Sequence, residues 1–102
     1  MDSVPLFKNN DADNFRSDVA MIITSVLKAM LKHVDDVKVN YEMGPRTTVF
    51  KVHCHREDYG QLLGKQGRNI EGLRRITTAM MSKHAHRAVI EIPYVKKEEM
   101  AA

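Results

Sequence analysis

The sequence has a single cysteine, Cys54, among its 102 residues. An intramolecular disulfide is therefore excluded, and a reducing cytoplasm is the expected compartment. No apolar run is long enough to cross a membrane, and residues 1–14 are too polar for a signal peptide, so no membrane partner is expected. No serine or cysteine nucleophile is patterned with a base, the acids around residues 57–71 do not form a working pair, and no cofactor motif is present. The protein is accordingly read as no enzyme, with no catalytic residue and no cofactor. A nucleotide P-loop is excluded too, because Gly60 and Gly64 stand too close together and Gln66 occupies the place of the magnesium-binding hydroxyl. What is left, with 43% hydrophobic and 28% charged residues, is the composition of one soluble globular domain whose core needs neither disulfide nor metal.

The net charge is only +3, but it is unevenly placed. Lys65, Arg68, Arg74, Arg75, Lys83 and Arg87 fall between Gly60 and Ile90 against one acid, Glu71, while Asp2, Asp11, Asp13 and Asp18 gather near the N-terminus. A basic segment of this kind suits a nucleic-acid surface. Inside it, Leu62-Leu63-Gly64-Lys65-Gln66-Gly67-Arg68-Asn69-Ile70 sets a four-residue loop, glycine at each end, between two amphipathic segments. The first N–H groups of a helix starting at Arg68 have no partner within it and carry partial positive charge, which favours a phosphate. Gly64 and Gly67 keep side chains out of the path of a sugar-phosphate strand and permit positive φ. Lys65 and Arg68 add formal charge, and Gln66 adds amide donors. These residues together read as a clamp on the backbone of a single-stranded nucleic acid.

The flanking pattern supplies the scaffold. Residues 1–13 read as a mobile arm, with Asp11, Asp13 or Asn14 capping the first helix. From Phe15 to His33 the residues Phe15, Val19, Ile22, Ile23, Val26, Leu27, Met30 and Leu31 mark one helical face, with Arg16, Asp18, Thr24, Ser25, Lys28 and Lys32 opposite. The period then changes to two. Val37, Val39, Tyr41 and Met43 share one side, a turn comes at Gly44-Pro45-Arg46, and Thr48, Phe50, Val52 and Cys54 continue as the partner strand of an antiparallel hairpin. Glu57 to Leu63 is a short helix ended by Gly64, and Arg68 to about Ser82 is a long one with Ile70, Leu73, Ile76, Thr77 and Met80 inward. A loop over 82–86 leads to a last strand from Arg87 to Tyr94, with Ala88, Ile90 and Ile92 inward. The domain is placed at 14–95 and a charged tail at 96–102. The order α-β-β-α-α-β predicts a two-layer α+β domain, three helices covering one face of a three-stranded sheet.

That order, with Leu62-Leu63-Gly64-Lys65-Gln66-Gly67-Arg68-Asn69-Ile70 between its last two helices, resembles a type II KH domain, and so implies a mixed sheet. The closer resemblance is to small bacterial proteins of the KhpA (YlqC) type. His55, Glu57-Asp58, Gly60, Gly64-Lys65-Gln66-Gly67-Arg68, Leu73-Arg74 and Glu91-Ile92 match that group, over about Phe15 to Tyr94. Arg56, Glu71, Gly72 and the long arm depart from it. The resemblance implies binding of about four nucleotides of single-stranded RNA, or of single-stranded DNA, through the GxxG loop. Gly64, Lys65, Gln66 and Gly67 would hold phosphates and Arg68 would support them. Leu63 and Ile70 would floor an apolar groove, Arg74 would face solvent or the loop, and Lys83, His84, His86 and Arg87 would reach the strand's other side. No aromatic residue is available there, so base stacking on a platform is not expected. A post-transcriptional regulator or RNA chaperone is implied, as a homodimer or as a heterodimer with a second KH-containing protein. The alternative is a protein-interaction or ribosome-assembly factor that uses the KH fold as a dimerisation scaffold, through Val49 and Val89 on the open sheet face and Leu6-Phe7 in the arm. The pairs His53-x-His55 and His84-x-His86 have neither finger spacing nor an adjoining carboxylate, so no metal is expected.

Overall fold

The alternating segment folds back on itself at Gly44, whose N–H donates to the Thr47 carbonyl at 2.7 Å. This turn joins β1 (Lys38–Met43) to β2 (Thr47–His53) in antiparallel register, with Tyr41 opposite Phe50. The structure, a computed structural model, describes residues 14–93. β3 (Arg87–Glu91) adds to the far side of β2 in parallel, with Phe50 opposite Ile90, so the sheet is mixed and β2 is its central strand. A parallel neighbour cannot be reached by a tight turn. The connection from β2 to β3 is made by the short helix α2 (Tyr59–Leu63) and the long helix α3 (Arg68–Ser82).

The period-two residues Thr48, Phe50 and Val52 all point to one side of β2 and are fully buried. Over them lie α2, α3 and the leading helix α1 (Asn14–Met30). Phe15, Val19, Ile23 and Leu27, four residues apart on α1, share one core with Phe50, Val52, Leu62, Leu73 and Ile90. The result is one helix layer on one sheet layer, the α+β arrangement expected from the element order. Among the described residues no helix is long and apolar enough to cross a membrane.

Several expectations need correction. Arg16, assigned to the solvent face of α1, is only 7% exposed. Its Nε donates to Thr48 Oγ1 at 3.0 Å, its Nη2 lies 3.3 Å from His86 Nε2, and its guanidinium sits 4.7 Å from the Phe15 ring centroid. The first turn of α1 is flanked by both the sheet and the loop before β3, and a long stem with a polar head can fill that space. Ile76, assigned to the inner stripe of α3, is 55% exposed; the stripe runs through Ile70, Leu73, Thr77 and Met81, and Ile76 lies one residue, about 100°, behind it. Met43 is exposed at the turn end of the edge strand β1.

Boundaries also shift. α1 stops at Met30 rather than His33, with the Leu31 N–H closing on the Leu27 carbonyl before a 3₁₀ turn over Val34–Asp36. The segment read as a helix from Glu57 divides into a 3₁₀ turn, Arg56–Asp58, and α2, and Asp58 is buried rather than displayed in a first turn. β3 ends at Glu91, short of Tyr94, which lies outside the described residues together with the arm, the tail and the capping acids Asp11 and Asp13.

Candidate nucleic-acid interface

α2 is short because its last N–H donor belongs to a glycine. The Gly64 N–H bonds the Gly60 carbonyl at 2.8 Å, and the chain then leaves the helix at φ 76°, ψ 172°. That conformation is open only to glycine. A tight turn over Lys65–Gly67 comes next, held by Gly67 N–H to the Gly64 carbonyl at 3.0 Å and by Arg68 N–H to the Lys65 carbonyl. Gln66 (φ 58°) and Gly67 (φ 75°) are both left-handed. For a residue with a side chain that costs roughly 1–2 kcal/mol. Strain of this kind is held here on an exposed loop at the start of a long helix.

Lys65, Gln66 and Arg68 are all exposed, and Arg68 Nη2 donates to Gln66 Oε1 at 3.3 Å. The amides of Gly64, Gly67 and Arg68 are used by the turn itself. An anion at the loop therefore meets the cationic side chains and the amides that remain. Asn69, in the first turn of α3, crosses back to α2. Its Nδ2 donates at 2.8 Å to the carbonyl of Gln61, one of the acceptors that a helix end leaves without a partner. A Cβ placed on Gly64 would stand 2.5 Å from Asn69 Cγ and 2.8 Å from Asn69 Cβ. Asn69 thus ties α3 back to α2 across the loop, a role the sequence marks only as an asparagine soon after the second glycine.

Leu63 is half-buried at the loop, but Ile70 is 4% exposed and braces the helix pair from inside. The accessible hollow lies further along α3. Arg74 and Thr78 on the helix, with Ala88, Val89 and Ile90 on the edge strand β3, line a space of about 300 Å³. Glu71, the acid beside the loop, is bound to Arg75 one turn on, with Nε to Oε2 at 3.2 Å, so its charge is offset. Lys83 and Arg87 are not brought to the loop, since α3 separates them from it by about 20 Å. Lys83 borders a hollow between α1 and α3 with Phe15, Asp18, Val19, Ile22, Met80 and His84. His84 stacks on Phe15 at 4.1 Å, and His86 meets the same ring edge-on at 5.2 Å, so both rings are held against α1. Arg87 is exposed at the start of β3, where its N–H donates to the Arg46 carbonyl at 2.8 Å.

Three groups at the base of α2 have shifted titration, Tyr59 being raised by burial. The Asp58 carboxyl is held below the usual carboxylate range, chiefly by the His33 backbone N–H at 2.9 Å, against the opposing effect of burial. It remains ionised at neutral pH and ties the end of α1 to the start of α2. Burial pushes the Cys54 thiol up to about 11, which makes it a core-side residue and no nucleophile at neutral pH.

Residues 20–92, from the first third of α1 to just past β3, match the family model described as KhpA/KhpB, KH domain. The chain is 37% identical over 62 residues to the RNA-binding protein KhpA of Leifsonia xyli subsp. xyli, covering 61% of this chain and 82% of that protein. It is 31% identical over 71 residues to the RNA-binding protein KhpA of Listeria monocytogenes, covering 70% of this chain and 93% of that protein. To the RNA-binding protein KhpA of Caldanaerobacter subterraneus subsp. tengcongensis it is 30% identical over 71 residues, covering 70% of this chain and 95% of that protein.

Proposed function

The chain belongs to the KhpA/KhpB family of KH domains, and from that premise we propose that it binds single-stranded RNA as a post-transcriptional regulator or RNA chaperone in the cytoplasm. The ribose-phosphate strand crosses the turn Gly64-Lys65-Gln66-Gly67, with Arg68 beside it and Leu63 beneath. Its bases run along the hollow of Arg74, Thr78, Ala88, Val89 and Ile90, and single-stranded DNA is held by the same contacts less the 2′-hydroxyl. The observation that carries this reading is the turn itself, in which glycines at φ 76° and φ 75° bracket exposed Lys65 and Gln66 at the head of a 15-residue helix. With Lys83 and Arg87 about one helix length away, they meet only a strand that runs past the hollow. Few contacts at one small site give modest affinity, and a second KH domain, from another copy or another protein, multiplies it by linkage.

The test is binding of a short unstructured RNA by fluorescence anisotropy at several salt concentrations. Phosphates at Lys65, Arg68 and Arg74 give a log–log slope of about −2, from roughly 0.7 per contact for a single strand. Lys65→Asp with Gln66→Asp removes one attraction and adds two repulsions, each about 1 kcal/mol at 4 Å in water, for a loss of about 100-fold. Aspartate tolerates the left-handed position at 66, so the melting temperature stays near that of the parent. Unchanged RNA affinity in this variant would show that the loop is not the clamp.

A further inference from the structure

His33, His55 and Glu57 meet on the surface between the end of α1 and the start of α2, and none of them takes part in the nucleic-acid interface. In the sequence four of the five histidines fall into the pairs 53/55 and 84/86, and His33 stands alone. The fold pairs them differently, stacking His55 on His33 with centroids 3.9 Å apart and planes inclined by 13°. One ligand-type atom from each of His33, His55 and Glu57 lies within 4.8 Å of the other two. Glu57 stands two residues beyond His55 in the chain, and packing adds His33 from the end of α1 to both.

The ring of His33 is oriented from behind. Its Nδ1 lies 3.2 Å from Oδ2 of buried Asp58, which also accepts the His33 backbone N–H. An ionised carboxylate can only accept, so that contact puts a proton on Nδ1, and the neutral form of the ring then carries its lone pair on Nε2. Nε2 lies 3.5 Å from Glu57 Oε1, which is an acceptor as well. Two acceptors turned toward each other call for positive charge between them. Their separation also fits one edge of a tetrahedral zinc site, where ligands about 2.1 Å from the ion stand about 3.4 Å apart. A carboxylate behind a histidine, fixing its tautomer and its ring, is the usual outer support of such a ligand.

We propose that His33 Nε2, His55 and the Glu57 carboxylate bind one divalent transition-metal ion of the zinc class, with water in the fourth position. Two imidazoles with one carboxylate select such an ion over magnesium or calcium, which take oxygen ligands. His55 Nδ1 accepts the Glu57 backbone N–H at 3.0 Å, and its ring lies flat on His33. Ligation therefore fans the His55 ring out of the stack at the cost of that hydrogen bond. The site is open, with the His33 side chain 30% and the Glu57 side chain 69% exposed, so it exchanges metal and binds more weakly than a closed four-ligand site. Once bound, the ion staples the end of α1 to the turn that leads through α2 into the glycine loop.

The experiment is calorimetric titration of the metal-free full chain with zinc chloride, repeated with cobalt(II) and read by visible absorption. One zinc per chain, a rise in melting temperature with added zinc, and a tetrahedral cobalt band support the site. His33→Gln and Glu57→Gln should each weaken zinc at least tenfold. His53→Gln and His84→Gln should leave it unchanged. Glu57→Gln alters an exposed side chain, so its folded state, checked by circular dichroism, keeps the test decisive even if His33→Gln fails to fold. Absence of heat and of a cobalt band at millimolar metal would overturn the proposal and make the His33–Glu57 contact an imidazolium ion pair. Zinc bound as tightly by Glu57→Gln as by the parent would overturn it as well, since other side chains would then be the ligands.

Discussion

Replacing Gly64 by alanine tests the geometry of the loop most directly. At φ 76°, ψ 172° a side chain is strained by about 1–3 kcal/mol wherever it points. Here it also points at Asn69, whose Cγ, Nδ2 and Cβ would stand 2.5, 2.7 and 2.8 Å from the new methyl. The Asn69 side chain must leave, and its hydrogen bond to the Gln61 carbonyl, worth about 1 kcal/mol, goes with it. The total is about 2–4 kcal/mol out of a domain stability of roughly 5–15 kcal/mol, a fall in melting temperature of about 10–25 °C. Gly67→Ala meets nothing within 4 Å, and its cost is the left-handed conformation alone, about 1–2 kcal/mol. A double-mutant cycle by urea unfolding separates strain from collision. In an Asn69→Gly background, which removes the Cβ at 2.8 Å as well as the amide, Gly64→Ala should cost about 1–2 kcal/mol less than in the parent. Equal costs in the two backgrounds, within about 0.5 kcal/mol, would refute the packing of Asn69 over Gly64.

Two further outcomes concern the base of α2. The Asp58 carboxyl is held below the usual range chiefly by the His33 N–H, so its contribution to stability is present above the ordinary aspartate pKa of about 3.9 and is lost as pH falls through the lower, folded value. Melting temperature measured from pH 6 down to pH 2, roughly the span over which aspartates titrate, should fall less steeply in Asp58→Asn than in the parent, and parallel curves would disprove the assignment. Cys54, with its thiol pushed up to about 11, should react with a thiol reagent at neutral pH far more slowly than an unfolded cysteine does, and equal rates would show that the thiol is not sheltered.

The parts of the fold that could be read from the sequence are those set by neighbours along the chain. Alternation through Thr48, Phe50 and Val52 names the buried side of β2, and Gly64 and Gly67 stand at positions whose dihedrals favour glycine. What could not be read depends on partners far away in sequence. Arg16 looks like a solvent residue by helical period, yet Thr48 and His86 make it an interior one. Ile76 and Met81 exchange the burial expected of Ile76 because the line of contact on α3 is set by where β3 and α1 lie. Of the candidate site, Arg74 lines the hollow beside β3, while the loop residues stand exposed at the other end of the same helix. Lys83, expected from its loop before the last strand to reach the far side of a bound nucleic acid, borders a hollow against α1. Asn69 and the His33–His55 stack had no local signature at all, since each is defined by a contact between separate elements.

The parallel pairing of β2 with β3 sets an order of assembly. The hairpin of β1 and β2 closes over a short turn, whereas β3 pairs with β2 across the whole α2–α3 connection, a longer and slower closure. One wall of the hollow beside α3 is β3 itself. A partly folded chain can therefore present a formed hairpin but no complete groove. On the proposed function, the groove is thus a property of the completed sheet, and a chain lacking the β2–β3 pairing has no site to offer a strand.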